Sequence, residues 1–150
     1  MRAILLLFLL PALAFAAGGS PNLVELRKTA ESGDAAAQFS LGEMYRNGTG
    51  VPRDLAEGFK WCRKAAEQGY APAQCEIGII YHNGNGVPVD EIEALAWIIL
   101  SAEKGDKHMI QMRDMAKHEI EFRFGPETVL KAQQRSNELA AMVAAAQRPQ

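Results

Sequence analysis

An internal repeat is the sequence feature that most constrains how this chain can fold. When the 150-residue chain is shifted onto itself by 36 residues, its glycines, prolines, tyrosines and tryptophans coincide over a whole unit. A period of about 20 to 50 residues is typical of proteins built from stacked supersecondary units. The coinciding residues are Ala37-Gln38 with Ala73-Gln74, Gly42 with Gly78, Tyr45 with Tyr81, Asn47-Gly48 with Asn83-Gly84, Gly50-Val51-Pro52 with Gly86-Val87-Pro88, Asp54 with Asp90, Trp61 with Trp97, Ala66-Glu67 with Ala102-Glu103, and Gly69 with Gly105.

Each unit is predicted to form two antiparallel helices. Asp34 is a good N-cap for the first helix, and Pro72 suits the first turn of its counterpart, where a missing N–H has no cost. These helices should stop near Asn47 and Asn83, because each is followed by a glycine, and asparagine and glycine tolerate the left-handed conformation common at helix ends.

The second helix of each unit should begin after an aspartate. Asp54 and Asp90 are followed three residues later by Glu57 and Glu93, which is the spacing of a capping box. Gly69 and Gly105 are expected to end these helices.

Small residues recur where two helices should approach closely. Glycine inside a helix costs roughly 1 kcal/mol relative to alanine, so its presence at both Gly42 and Gly78 requires a packing reason, and close helix contact is that reason. Large side chains are expected to fill the remaining space between the helices: Leu41, Tyr45, Phe59, Trp61, Leu95 and Trp97.

These motifs resemble a known repeat family. The run AQFSLGEMYRNGTGVPRDLAEGFKWCRKAAEQG, repeated as AQCEIGIIYHNGNGVPVDEIEALAWIILSAEKG, is similar to the Sel1-like repeat, a relative of the tetratricopeptide repeat. The resemblance covers about residues 30–105 as two units. It implies an all-α fold, an α/α solenoid with a groove lined by the first helices, and generally a role as an adaptor in protein complexes.

The flanking segments are expected to complete the solenoid. We predict a lead-in helix over residues 17–29 and a degenerate helix over 107–122, where the glycine and tyrosine marks are lost. Gly125-Pro126-Glu127 then opens an amphipathic helix to about Ala146. Within 106–146 this last helix should act as a C-terminal cap, because a solenoid must cover its last apolar face; residues 147–150 form a tail.

Residues 1–16 have the pattern of a secretory signal peptide. A basic residue precedes an apolar run from Ala3 to Leu13, and small residues around Ala16 form an A-x-A cleavage pattern. Pro11 interrupts the run, which is shorter than the roughly 20 residues that a spanning helix needs. We therefore expect a periplasmic or secreted protein, cleaved near Ala16 and without a stable membrane span afterwards. A retained leader is the alternative.

The charge balance argues against two classes of partner. The formal net charge is -2, and basic residues are interspersed with acidic ones, so we expect neither nucleic acid nor an anionic membrane surface as a partner. A protein or peptide is the expected partner. First-helix side chains outside the packing pattern are its predicted contacts: Glu43, Arg46, Glu76 and His82.

Two cysteines leave a redox question open. Cys62 lies on a second helix and Cys75 on the next first helix, about three residues apart in height. An oxidising compartment would permit a disulfide if the backbone geometry allows one. The alternatives are this disulfide and two buried thiols.

Catalytic and metal-binding alternatives have weaker sequence support. Ser101-Ala102-Glu103-Lys104 matches the S-x-x-K string of penicillin-interacting enzymes but lacks its companion motifs. Some cysteine-rich relatives in the family have been associated with β-lactam binding, which keeps a cell-envelope enzyme or modulator acting on peptidoglycan or β-lactams as an alternative. Met109, Met112 and Met115 form M-x-x-M-x-x-M, a candidate Cu(I) site or a filler of an irregular helix joint. We predict no catalytic activity, no cofactor and no metal site.

Overall fold

The structure, a computed structural model, describes residues 21–103 and 106–148. Within these ranges the chain is helical and contains no strand, in agreement with the predicted all-α class. The predicted signal peptide lies outside the described residues. The helices are α1 (Pro21–Glu31), α2 (Ala35–Asn47), α3 (Leu55–Glu67), α4 (Ala71–Asn83), α5 (Glu91–Glu103), α6 (Lys107–Phe124) and α7 (Pro126–Ala146).

The helix boundaries follow the same 36-residue period as the sequence. Helices α1, α3 and α5 end at residues 31, 67 and 103, and α2, α4 and α6 begin at residues 35, 71 and 107. Each helix packs against the next one in the chain, and α7 packs against α5 as well as α6. The described chain is therefore a solenoid of helical hairpins that begins with the second helix of a unit.

Helices α6 and α7 form a third, altered unit. The loops after α2 and α4 are replaced by the single residue Gly125, and α6 extends to 18 residues where α4 has 13. The degenerate helix thus continues to Phe124, two residues beyond the predicted end at 122, because no loop motif stops it earlier. At the other end, the described part of the lead-in helix continues from Pro21 to Glu31, past the predicted end at 29, and finishes where α3 and α5 finish.

The helix ends follow the predicted capping, with one correction. Asp34 Oδ1 accepts a 2.7 Å hydrogen bond from the Ala37 N–H, and Gly48 and Gly84 adopt left-handed conformations with φ of 71° and 68°. Asp54 likewise accepts from the Glu57 N–H at 2.9 Å, but the predicted capping box is only half formed.

The second half of the capping box is replaced by a hydrogen bond to the preceding helix. The backbone N–H of Asp54 donates to the Tyr45 carbonyl at 2.8 Å, and that of Asp90 to the Tyr81 carbonyl at 3.1 Å. The glutamate side chains are therefore not needed to satisfy these donors. This bond ties each second helix directly to the first helix of its own unit.

Close helix contact explains the repeated glycines. A Cβ atom at Gly42 would lie 2.5 Å from Cys62 Sγ, and one at Gly78 would lie 2.6 Å from Ile98 Cγ1 and 2.8 Å from the Ala94 carbonyl oxygen. Because these separations are shorter than van der Waals contact, only glycine fits without displacement of the partner helix. The packing reason predicted for both glycines is confirmed.

Equivalent hydrogen bonds join successive units. Arg27 donates to the Tyr45 hydroxyl at 2.7 Å, and Arg63 donates to the Tyr81 hydroxyl at 3.2 Å. The two tyrosines therefore occupy equivalent surroundings, with an arginine of the preceding second helix as partner in each case.

A buried glutamine repeats in the same way. Gln38 donates to the Ala30 carbonyl at 3.0 Å, and Gln74 to the Ala66 carbonyl at 3.1 Å. Each of these carbonyls lies in the last turn of the preceding second helix and also accepts a backbone N–H, that of Gly33 or Gly69, so the glutamine supplies a second hydrogen bond. Ile110 stands at the same position of the third unit and has no such donor, which marks α6 as the end of the regular array.

The two tryptophans differ in burial because α7 packs over Trp97 and not over Trp61. Trp97 on α5 is fully buried in the core beneath α7, whereas Trp61 on α3 is only half-buried, with Lys64 Nζ 4.1 Å from its ring centre. The prediction that both are core residues is thus confirmed for Trp97 and only partly for Trp61. Among the described helices, none combines the length and apolar character required to cross a bilayer.

Candidate functional site

The first helices of the three units are α2, α4 and α6, and the predicted contact residues lie on the first two of them. We call the side-chain surface of these three helices the first-helix face. Of the four predicted residues, the structure brings three together into one ionic cluster and places the fourth about two turns further along α4.

Arg46 is the centre of this ionic cluster. Its Nη1 atom lies 2.5 Å from Glu43 Oε1 and also forms an ion pair with Glu76 of the next unit. The side chains of Arg46 and Glu76 are 15% and 16% exposed, and that of Glu43 is 32% exposed. These residues are therefore partly buried and bonded to one another, so they connect two repeat units as well as facing outward.

The surroundings of this cluster are largely buried. Burial raises the pKa of Glu76 above its ordinary value, although Arg46 opposes the shift, and burial raises the pKa of the neighbouring Cys62 thiol to about 12. Arg46 Nε is buried without a hydrogen-bond partner. The cluster contains two carboxylates and one guanidinium, which leaves an excess of negative charge when all three are ionised.

His82 belongs to a second polar group. Its Nδ1 atom lies 2.9 Å from Glu91 Oε2 on α5, and Arg123 Nη1 lies 4.0 Å from the other oxygen of the same carboxylate. Arg123 also pairs with Glu119 on α6 at 3.4 Å. Four side chains from three helices thus form a chain of contacts, all of which are ion pairs when His82 is protonated.

An apolar groove opens beside this chain of contacts. It encloses about 220 Å³ between α4, α5 and α6, with His82 and Glu119 at its rim. We call it the α4–α6 groove. Its apolar lining residues are Ile79, Ala94, Ile98, Met112, Met115, Ala116 and Ile120.

The groove could not be predicted from the sequence. Met112 and Met115 stand out in the sequence only by their spacing, and Ile79 does not stand out, because the surfaces of α4 and α6 meet only in the folded chain. The sequence feature that could have revealed the groove is the 36-residue period. It predicts that α6 is another first helix next to α4, although the glycine and tyrosine residues typical of the repeat are absent from α6.

Both cysteines are buried, free thiols. Cys62 Sγ lies close to the backbone of Gly42 between α2 and α3, and Cys75 Sγ lies 4.0 Å from Met112 Sδ between α4 and α6. The two sulfur atoms therefore occupy different helix interfaces, an arrangement that favours the two-thiol alternative of the sequence prediction.

The catalytic and metal alternatives gain no support from the geometry of the described residues. Ser101 is 1% exposed and its hydroxyl donates to the Ile98 carbonyl at 2.8 Å, so it lies in a helix interface and not in an open site. Among residues 21–103 and 106–148, no group of three histidine, cysteine or acidic side chains is placed to hold a metal ion.

Comparison with known proteins agrees with this architecture. Residues 35–70 and 71–106 each match the Sel1 repeat family. A 63-residue stretch is 40% identical to the secretory immunoglobulin A-binding protein EsiB of Escherichia coli; this stretch is 42% of the chain and 13% of that protein.

Two crystal structures resemble the fold. A protective antigen of uropathogenic Escherichia coli strains that displays an SLR fold matches 83% of the chain at 31% identity, with a TM-score of 0.69. A Sel1 repeat protein from Oxalobacter formigenes matches 62% at 38% identity, with a TM-score of 0.59. The matches span 28% and 27% of those chains. The repeats, the helical hairpins and these likenesses together identify the chain as a Sel1-like repeat protein.

Proposed function

We propose that this protein is an exported interaction scaffold that binds a segment of another protein on its first-helix face. A solenoid of this kind presents a continuous surface built from equivalent helices, and such surfaces commonly bind extended partners. The chain's likeness to EsiB, an immunoglobulin-binding protein by name, supports a role in protein binding. The immunoglobulin itself is not carried over, because the match spans only 13% of EsiB.

One observation carries the choice of the first-helix face. The α4–α6 groove offers apolar side chains next to polar ones, which is the composition of a specific binding site. Met115, which is 65% exposed, forms part of its wall. By contrast, α7 packs against α5, so part of the second-helix surface is already covered by the chain itself.

Site-specific photo-crosslinking tests this placement. A benzoylphenylalanine at Met115 should crosslink to a partner in extracts of the native host, whereas the same group at Leu130, which is 70% exposed on α7, should not. The two positions are similarly exposed and lie on different helices. Equal crosslinking at both positions, or crosslinking at Leu130 alone, would contradict the proposal.

Export is tested separately. We propose that the chain leaves the cytoplasm with loss of residues 1–16, as the leader pattern predicts. The full chain should be expressed in a Gram-negative host, and the protein of the periplasmic fraction analysed by intact mass spectrometry. A mature form beginning near residue 17 is expected; an uncleaved, cytoplasmic chain would refute this part of the proposal.

A further inference from the structure

We infer that the α4–α6 groove binds a peptide segment that carries one large apolar side chain next to a basic residue. This inference rests on the proposed function and specifies the chemistry of the partner.

The size of the groove fits a single side chain. Pockets for small-molecule ligands typically enclose about 300 to 1,000 Å³, and the α4–α6 groove encloses about 220 Å³. One leucine, methionine or phenylalanine side chain fills a space of this order. The groove is also partly open to solvent, so a bound side chain can remain attached to a peptide backbone that continues over the surface.

The lining is both apolar and adaptable. Ile79, Ile98 and Ile120 form the walls, and Met112 and Met115 contribute flexible thioether side chains. Methionine adjusts to ligands of different shape because it is unbranched and polarisable, and it is common at peptide-binding surfaces. The groove therefore selects for apolar character and tolerates different apolar side chains.

The rim favours a basic neighbour. The carboxylates of Glu91 and Glu119 share only one guanidinium, that of Arg123, at 4.0 and 3.4 Å. His82, which pairs with Glu91, adds positive charge only when it is protonated. With His82 neutral, the rim has one unmatched negative charge, which attracts a lysine or arginine and disfavours an acidic residue.

The same charge bias continues along the first-helix face. Glu76 lies one helical turn before Ile79 on α4, so the Glu43–Arg46–Glu76 cluster flanks the groove on the side of α2. This cluster also has one more carboxylate than guanidinium. A peptide lying across α4 in either direction therefore meets acidic excess beside its apolar anchor.

Selection from a random peptide library tests the inference without a known partner. The purified protein is screened against a phage-displayed library of random twelve-residue peptides, and affinities of the enriched peptides are measured by fluorescence polarisation. We expect enrichment of peptides with an aromatic or long aliphatic residue within one to three positions of a lysine or arginine. Their binding should weaken at high salt, since exposed charges are screened.

Two pairs of matched variants show whether the selected peptides bind in the α4–α6 groove. Met115→Ser should weaken binding by about tenfold through loss of apolar contact, while Met142→Ser, a similar change of an exposed methionine on α7, should have no effect. Glu119→Lys should weaken binding by roughly fivefold, while Glu138→Lys should not. Glu119 and Glu138 are 57% and 54% exposed, and each pairs with an arginine of its own helix.

The outcomes separate the two proposals. Enriched peptides without basic residues that nevertheless lose affinity with Met115→Ser would overturn the charge inference and leave the first-helix face as the binding surface. Enriched peptides that bind all four variants equally would overturn the inference, and the crosslinking comparison of Met115 with Leu130 would then decide the proposed function. If no peptide is enriched, the inference fails, and the crosslinking comparison of Met115 with Leu130 still decides the proposed function. Thermal unfolding followed by circular dichroism verifies that each variant is folded.

Discussion

Replacing Arg46 by methionine should destabilise the protein measurably, although sequence analysis assigns this residue to partner binding. The substitution removes the guanidinium that bridges Glu43 and Glu76 across two repeat units. It keeps an unbranched side chain where the Arg46 Cγ atom packs over Gly58. The decrease in the free energy of unfolding therefore measures the loss of the charge and not a loss of packing.

The magnitude follows from the burial of the cluster. An exposed ion pair contributes about 0 to 1 kcal/mol, and removing one partner of a fully buried pair costs about 3 to 5 kcal/mol. Arg46 and Glu76 are 15% and 16% exposed, so the cluster lies between these limits. We expect a loss of about 2 kcal/mol in the free energy of unfolding at pH 7.

The loss should also depend on pH. Burial already raises the pKa of Glu76, and Arg46 lowers it, so removal of Arg46 raises it further. A carboxyl group whose pKa is higher in the folded protein destabilises the fold as pH rises through that pKa. The variant should therefore recover stability relative to the wild type as pH is lowered from 7 toward the ordinary glutamate value of 4.5.

Urea unfolding at pH 7 and pH 5 provides the assay. Arg113→Met is the matched control, because Arg113 pairs with the exposed Asp114 at 2.8 Å and its loss should cost less than about 0.5 kcal/mol. The double variant with Glu76→Gln should restore most of the loss. Equal stability of the Arg46 and Arg113 variants, or an Arg46 loss that grows at pH 5, would refute the reasoning.

Three further outcomes are expected. Gly78→Ala should lower the free energy of unfolding by about 1 to 3 kcal/mol despite the better helix propensity of alanine, because its Cβ would overlap Ile98; an unchanged urea midpoint would contradict the packing argument. Cys62 and Cys75 should react with a thiol reagent as two thiols in denaturant without reductant and slowly in the native protein, and detection of none in denaturant would indicate a disulfide. Glu76→Gln should match or exceed wild-type stability at pH 7, with the difference shrinking as pH approaches 4.5, and a gain that instead grows on acidification would be inconsistent with the raised pKa of Glu76.

The architecture could be predicted from the sequence because each structural signal occurs twice, at the same offset of 36 residues. Gly42 and Gly78 each required a close helix contact, and two independent occurrences at one offset made that interpretation specific. Caps at Asp34 and Asp54 depend only on local backbone geometry, so they could be predicted from neighbouring residues.

The candidate site was less accessible because it depends on contacts between units. Arg46 and Glu76 are 30 residues apart, and nothing in their local sequence indicates that a guanidinium on one first helix bridges to the next. The α4–α6 groove requires α6 to continue the period after its glycine and tyrosine marks have been lost. The sequence therefore gives no sign that Met112 and Met115 line a groove whose opposite wall is formed by α4.

Chemical-shift mapping tests the central claim most directly. A peptide selected from the library is titrated into ¹⁵N-labelled protein, and the backbone amide shifts are followed. Binding on the first-helix face predicts that the largest changes occur at Ile79, Met112 and Met115, with little change along the outer surface of α7. Changes centred on Leu130 and Met142, with Ile79 and Met115 unaffected, would contradict the account.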